Sequence, residues 1–286
     1  MDKAELKGLI KQSIRDVVKA TPEIVPHLRG TARWIAEVYA CKLGDPNEEA
    51  RMRDERKLER NLRKFLDEQF ERIKREIRKD DAQYQRKSVF QPSFWDSEKD
   101  RMWSELAEDF VGVLINGMNE GVIALSTNAS FVDFDLINQA LIDYAKVYRD
   151  EWLYKITETS RTAVQRAVTD WLESGESFDS LVAELTNTFG KARAERIAAT
   201  EVTRLRSKAN QLTWQQSGVV EQFRWSTVMD DLVCKICKPR ENQLFPLSQM
   251  EEMLPAHVNC RCVGFPVVST ELARRRNREL LGLPPL

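Results

Sequence analysis

The first 217 residues or so carry a helical pattern of apolar and polar positions. Apolar side chains recur every three or four residues, which places them on one face of an α-helix. The pattern predicts amphipathic helices over about 3–19 and 31–42. It then predicts a long, highly charged helix over about 48–79, whose few apolar residues form a narrow stripe: Leu58, Leu62, Phe65, Leu66, Phe70, Ile73 and Ile77.

Two interpretations of this narrow stripe remain open. In the first, the charged helix is solvated on most of its surface and packs one seam against a neighbouring helix of the same chain. In the second, the stripe is a coiled-coil or assembly contact, and the long charged helix supports an oligomer.

Further helices are predicted after the break at Gln91–Pro92. Ser97 and Asp100 resemble a capping box, which predicts that the next helix begins there. A long periodic segment over about 133–173 is rich in aromatic residues. Aromatic side chains at helical spacing are far more often core residues than stacking platforms for nucleic-acid bases. We therefore expect them to be buried.

The pattern changes from helix to strand at Gly218. Ser177 is the predicted N-cap of a short helix, and a further helix over about 192–216 is predicted to end with Gly218 in a left-handed conformation. Beyond it, residues 219–227 and 263–268 contain partly alternating β-forming residues and are predicted strands. The sequence therefore predicts a helical body followed by a small sheet.

Four of the five cysteines and one of the two histidines lie between the predicted strands. They read Cys234-Lys-Ile-Cys237 and, after a loop, His257-Val-Asn-Cys260-Arg-Cys262. Thiolate and imidazole are the ligands that Zn²⁺ prefers, and two such clusters can close a tetrahedron. Disulfides and small buried cysteines without a metal are the alternatives.

The five candidate ligands compete for four places around one structural Zn²⁺. Cys234, Cys237 and Cys260 are the surest ligands, and the fourth is His257 or Cys262. An extended chain directs the sulfurs of a Cys-x-Cys pair to opposite faces, so that both can bind one metal only if the chain turns between them. We therefore favour His257.

Composition restricts the function classes. The chain has 44 basic and 45 acidic residues, so it is not a strongly basic nucleic-acid coat protein. No apolar run approaches the roughly 18 residues of a membrane span. The N-terminal residues do not have the pattern of a secretion signal, and we expect an intracellular, reducing environment in which paired cysteines hold metal.

Four sequence elements, in this order, carry a resemblance to a known family. They are Arg196-Ile-Ala-Ala-Thr200-Glu201-Val-Thr-Arg204, then Phe223-Arg-Trp225-Ser-Thr227, then Asp230-Asp231-Leu-Val-Cys234-Lys-Ile-Cys237, and last Pro255-Ala-His257-Val-Asn259-Cys260-Arg261-Cys262. Over about 157–268 the chain resembles the Mu F-like phage head morphogenesis family, whose members are minor head proteins. The usual proline after the histidine is Val258 here.

The resemblance implies a structural virion component rather than an enzyme. Such proteins are present in few copies in the head interior or neck and associate with the portal or inner capsid. They assist head assembly, DNA packaging or DNA delivery. The implied partners are the phage portal and capsid proteins, with phage DNA as a further possibility, and the protein would pass through the host cytoplasm during assembly.

Together, pattern and resemblance predict a mainly α protein, with a multi-helix elongated body followed by a small α+β zinc-stapled C-terminal module. Residues 1–130 are the predicted N-terminal helical region with the long charged helix. Residues 131–217 are the predicted helical part of the head morphogenesis domain. Residues 218–270 are the predicted zinc-binding module, and 271–286 are a basic C-terminal tail.

A metal-dependent nuclease or hydrolase is one rival function. Asp230 and Asp231 would then serve as general base or Mg²⁺ ligands, although an acidic pair beside a zinc knuckle more often caps the turn or accepts hydrogen bonds around the metal ligands. Catalytic zinc keeps one open position, whereas five soft ligands crowd this site.

A zinc-containing DNA-binding protein is the other rival. The basic residues that would contact phosphates are Arg204, Arg206, Lys208, Arg261 and the tail run Arg274-Arg275-Arg276-Asn277-Arg278. Arg196 and Glu201 have two possible roles: ion pairing that fixes their helix on the zinc module, or contact with a partner protein.

Overall fold

The computed structural model describes residues 47–78, 88–125, 131–227 and 233–284, and all structural statements below concern these residues. The helices predicted over about 3–19 and 31–42 lie outside them, as do Asp230 and Asp231. The described helices are α1 (Glu48–Arg78), α2 (Pro92–Ala124), α3 (Phe134–Val147), α4 (Leu153–Ser174), α5 (Phe178–Phe189), α6 (Lys191–Ser217), α7 (Met250–Met253) and α8 (Thr270–Leu280). The strands are β1 (Val220–Ser226), β2 (Leu244–Pro246) and β3 (Val263–Val268).

The fold is mainly α with a small C-terminal sheet, as predicted. None of the described helices combines the length and apolar character needed to cross a membrane.

The apolar stripe of α1 is buried inside the chain. Leu58, Leu62 and Leu66 are fully buried, in one core with apolar residues of α2, α4, α5 and α6. Helices α1 and α2 run antiparallel, since Asp54 near the start of α1 contacts Asn116 and Arg72 near its end pairs with Glu98. The interpretation as a seam within the chain is therefore correct, and the stripe is not available for an oligomer contact.

Helix α2 begins earlier than the sequence indicated. Gln91 is its N-cap and Pro92 its first residue, whereas Ser97 and Asp100 are exposed positions inside the helix. The capping-box prediction was wrong because proline competes well for the first helical position, where its fixed φ suits the helix and its missing N–H has no partner to lose.

The aromatic segment is two helices joined by one π-helical turn, Tyr148–Trp152. Asp133 caps α3 by accepting hydrogen bonds from two backbone N–H groups of the first turn. Tyr144 and Tyr148 are buried as predicted, whereas Phe134 and Tyr154 are about half exposed. The core assignment therefore holds for the inner face of this segment only.

Two glycines allow α2 and α6 to pack closely. A Cβ on Gly117 would lie 2.8 Å from the backbone Cα of Arg206, and one on Gly121 would lie 2.8 Å from Oδ1 of Asn210. The indole N–H of Trp214 donates to the carbonyl of Gly121 at 3.0 Å. Helix α6 is therefore fixed along α2 by backbone proximity as well as by side chains.

The predicted ends of α5 and α6 are confirmed. Ser177 is the N-cap of α5, and its hydroxyl accepts a hydrogen bond from the N–H of Ser180. Gly218 ends α6 with φ of 69°, a left-handed conformation that glycine adopts without steric cost.

The sheet has the order β2-β1-β3, and both pairings are antiparallel. Strands β1 and β3 match the predicted segments, whereas β2 has three residues and was missed because so short a run carries no usable alternation. Phe223 and Trp225 of β1 are fully buried in a second core, which also contains Trp214 from α6 and three of the cysteines. Helix α6 thus contributes to both cores.

Candidate metal centre

A tight turn after β1 brings Cys234 and Cys237 together. The N–H groups of Cys237 and Lys238 donate to the carbonyl of Cys234 at 3.2 and 3.0 Å. The N–H of Cys237 also points at Sγ of Cys234, at 3.4 Å. A backbone donor aimed at sulfur favours the thiolate, which is the form that binds metal.

A second turn, before β3, presents His257 and Cys260. The N–H of Cys260 donates to the carbonyl of His257 at 3.2 Å. Between them Asn259 has φ of 66°, a left-handed conformation that asparagine tolerates better than most residues. The family-like asparagine at this position therefore has a backbone role.

The imidazole of His257 meets the first turn. Its Nε2 lies 3.1 Å from Sγ of Cys234 and 3.2 Å from Sγ of Cys237. Its Nδ1 lies 2.8 Å from the carbonyl of Val258, which can only accept, so Nδ1 carries the proton. In the neutral imidazole, the lone pair of Nε2 is then directed at the sulfurs, as in a metal-ligating histidine.

The cysteines and the histidine form two overlapping groups. Ligand atoms of Cys234, Cys237 and His257 lie within 4.8 Å of one another, and so do those of Cys237, Cys260 and Cys262. Cys237 is common to both. The sulfurs of the Cys-x-Cys pair therefore converge, contrary to the expectation for an extended chain. All five predicted ligands are brought together and could hold a metal ion.

The cysteines of this cluster differ in how readily they ionise. A hydrogen bond with the Cys262 thiol lowers the pKa of Cys260 to about 5, and that same bond together with burial raises the pKa of Cys262 far above its ordinary range. Burial raises the pKa of Cys237 to about 12. Adjacent buried thiolates repel each other, whereas a divalent cation would allow the sulfurs to ionise together.

Helix α6 supports the second turn through two threonines one helical turn apart. The hydroxyl of Thr203 donates to the carbonyl of Cys260 at 2.6 Å. The hydroxyl of Thr200 accepts from the N–H of Asn259 at 2.8 Å and donates to the carbonyl of Arg196 at 2.6 Å. These bonds explain why the threonines of the family-like helix pattern face the ligand loop.

Helix α1 holds the same loop from the other side. Arg51 donates to the carbonyl of Arg261 at 2.7 Å, and Arg261 pairs with Glu55 at 2.9 Å. Arg51 and Glu55 are only 2% and 5% exposed. Sequence reasoning missed them, although one signal was present: they continue the buried α1 stripe toward its N-terminus at the same spacing, with charged residues.

Arg196 and Glu201 do not pair with each other. Glu201 is buried, accepts a hydrogen bond from the Tyr148 hydroxyl at 3.0 Å, and pairs with Arg204 at 3.1 Å. Burial raises its pKa, although both partners oppose the shift. The exposed Arg196 side chain lines a cavity of about 220 Å³ with Asn259 and Arg261.

Three of the basic residues proposed for phosphate contact are engaged inside the protein. Arg206 pairs with Asp54 and Glu120, both at 2.6 Å. Arg204 pairs with Glu201, and Lys208 pairs with Glu251. The three cations that the DNA-binding alternative would use are therefore paired with acidic groups within the protein, although these positions on α6 looked solvated in sequence.

Comparison with protein families gives a match to part of the chain. Residues 162–265 match the model of the family described as Phage Mu protein F like protein, which covers somewhat more than a third of the chain. No curated protein and no solved structure matches the chain. The matched span contains the threonines of α6, strands β1 and β2, the first half of β3 and all five candidate ligands. Over residues 162–265, the chain is therefore similar to the Mu F-like phage protein family.

Proposed function

We propose that the chain is a phage or prophage minor head protein. In this role it is a structural component of the virion, in the head interior or neck, that associates with the portal or inner capsid. It assists head assembly, DNA packaging or DNA delivery, and is present in the host cytoplasm during assembly. The family match supports the head assignment.

One structural observation carries this proposal. The family-like motif residues contact one another: Thr200 and Thr203 of α6 bind the loop of Asn259 and Cys260. Side chains that join a helix, a loop and a ligand cluster in this way have a structural role. This arrangement favours a structural head protein over a nuclease.

We further propose that the cluster holds one structural Zn²⁺, with Cys234, Cys237, Cys260 and His257 as ligands. Tetrahedral Zn²⁺ lies about 2.3 Å from sulfur and about 2.0 Å from nitrogen, which places neighbouring ligand atoms about 3.5–3.8 Å apart. His257 Nε2 lies 3.1 and 3.2 Å from two sulfurs, a few tenths of an ångström closer than this spacing, so a small outward shift of the imidazole would admit the ion. Cys262 then lies beside the metal site as a hydrogen-bond partner.

Paired variants separate His257 from Cys262. His257→Gln should lower zinc affinity much more than Cys262→Ser, because only the first removes a ligand. Competition with a chromophoric chelator measures both. The opposite order would assign the fourth place to Cys262.

Particle composition tests the head function. Mass spectrometry of purified phage particles, before and after DNA ejection, should find the protein in the head, and immobilised portal should retain it in high salt. Absence from heads and proheads together with no portal binding would overturn the proposal. Metal-dependent DNA cleavage lost in Asp230→Asn or Asp231→Asn would favour the nuclease instead.

A further inference from the structure

In the first half of α1, acidic residues that pair with other elements and arginines that are unpaired among the described residues lie on different sides of the helix. Over residues 53–63 the sequence mixes acidic and basic residues. In the structure Asp54 pairs with Arg206 and Glu55 pairs with Arg261, so two of the three carboxylates neutralise cations of other elements. The near-zero net charge of the chain therefore conceals a one-sided surface.

Four arginines lie on the opposite side of this segment: Arg53, Arg56, Arg60 and Arg63. All four are exposed, and none makes an ion pair or hydrogen bond with another described residue. Their spacing of three and four places them along one side of the helix, over about 15 Å. We call these four residues the arginine row.

Two further cations extend the positive surface around the row. Lys57 lies on the same side, although it pairs with Asp109 at 2.7 Å. Arg196 lines the same cavity as Arg56, and its side chain pairs with no acidic group of the described residues. Glu59 and Glu195 also line that cavity, so the positive charge is strongest along the row itself.

The chemistry of this surface favours a polyanion over a protein partner. Protein interfaces are centred on buried apolar and aromatic anchors. None of the exposed large apolar side chains of the described residues belongs to α1. Guanidinium groups, by contrast, bind phosphate oxygens bidentately and remain charged at any physiological pH.

We infer that the arginine row of α1, together with Arg196, binds the phosphate backbone of duplex DNA without sequence specificity. The inference rests on the proposed head function for its setting, since a protein of the head interior meets packaged DNA. The arginine row lies outside the family-matched span, whereas Arg196 lies inside it.

The expected binding depends strongly on salt. Each neutralised phosphate contributes about −0.9 to the slope of log affinity against log salt concentration. Four or five contacts therefore predict a fall of about two to three orders of magnitude between roughly 50 and 200 mM salt. Fluorescence anisotropy with the full chain and a random-sequence duplex measures this slope.

Matched charge variants locate the surface. Changing all four residues of the row from Arg to Gln should weaken duplex binding at low salt by about 100-fold or more and reduce the salt slope by about 3–4. The control changes to Gln four exposed cations that each pair with a carboxylate of their own helix or turn, which removes the same charge: Lys146, Arg149, Arg166 and Lys191. It should bind like the wild type, and circular dichroism should show both variants folded.

Three outcomes would overturn the inference: equal loss in both variants, full binding by the row variant, or polyglutamate binding as strongly as DNA. Equal loss would mean that net charge alone matters, and strong polyglutamate binding would indicate an acidic protein partner. Particle incorporation is measured separately. A row variant that enters heads but has lost DNA binding supports the inference, whereas a wild type that binds DNA but never enters heads refutes only the head function.

Discussion

The helical body and the C-terminal module are held together by different forces. Leucine and aromatic side chains of α1, α2, α4, α5 and α6 fill a continuous apolar core. The module has three short strands and a smaller core that includes Cys237, Cys260 and Cys262. So small a segment buries too little apolar area to fold alone. From this difference we propose that the body depends on packing, whereas the module depends on its ligand cluster and on α6.

Removing a metal-ligating side chain should have the largest effect, and this effect should be confined to the module. We expect Cys237→Ser to unfold β1 and the ligand loops while most helical signal remains. A structural Zn²⁺ contributes an apparent free energy of about 10–16 kcal/mol to the folding of small zinc domains. Hydrogen exchange of β1 amides and far-ultraviolet circular dichroism measure the two regions separately.

The control for this experiment is Cys41→Ser, which removes a thiol outside both cysteine motifs. It should leave β1 protection unchanged. A Cys237→Ser protein with wild-type protection of β1 would show that the module does not depend on its ligands.

Adding a methyl group where α2 and α6 pack closely should affect both regions. We expect Gly117→Ala to lower the free energy of unfolding by about 1–3 kcal/mol, since its Cβ would meet the backbone of Arg206. Gly112→Ala, on the same helix with no atom within 4 Å of its added Cβ, should raise stability by about 0.5–1 kcal/mol. Urea denaturation compares the two, and equal effects would contradict close packing at Gly117.

Removing a hydrogen bond between α6 and the ligand loop should weaken the module and leave the body intact. Thr203→Val removes the hydrogen bond to the carbonyl of Cys260 and should cost about 1–2 kcal/mol locally. Zinc affinity should fall about 10-fold, the lower end of the range for groups that support metal ligands. Thr186→Val, an exposed position on α5, is the control. Unchanged zinc affinity in Thr203→Val would contradict the supporting role of α6.

The smallest effect should come from removing a helix N-cap in the body. Ser177→Ala removes the N-cap bond to the N–H of Ser180 and should lower stability by about 1 kcal/mol. Because the buried residues of α5 belong to the core of the body and not to the core of the module, zinc affinity should stay at the wild-type value. Thermal unfolding and chelator competition on the same preparation test both parts, and a parallel loss of zinc affinity would mean that the two regions are not separable.

Local signals predicted much of the fold. The α1 stripe, the Ser177 cap, the Gly218 ending and two strands are visible in neighbouring residues, because periodicity and capping act over a few positions. The candidate ligands were equally visible, since the motif itself contains the cysteines and the histidine that can bind a metal.

What the sequence did not reveal depends on distant partners. Arg51 and Glu55 support the ligand loop from α1, more than 200 positions away. Arg206 looked like a DNA contact because its partners, Asp54 and Glu120, are 152 and 86 positions away along the chain. Ion pairs between distant elements carry no periodic signature, so charge patterning alone could not separate paired cations from free ones.

Metal stoichiometry tests the central claim, that the C-terminal module is organised by a metal, most directly. Elemental analysis of protein purified without chelators should find about one zinc per chain in the wild type and almost none in Cys237→Ser. Less than about half an equivalent in the folded wild-type protein would contradict the account.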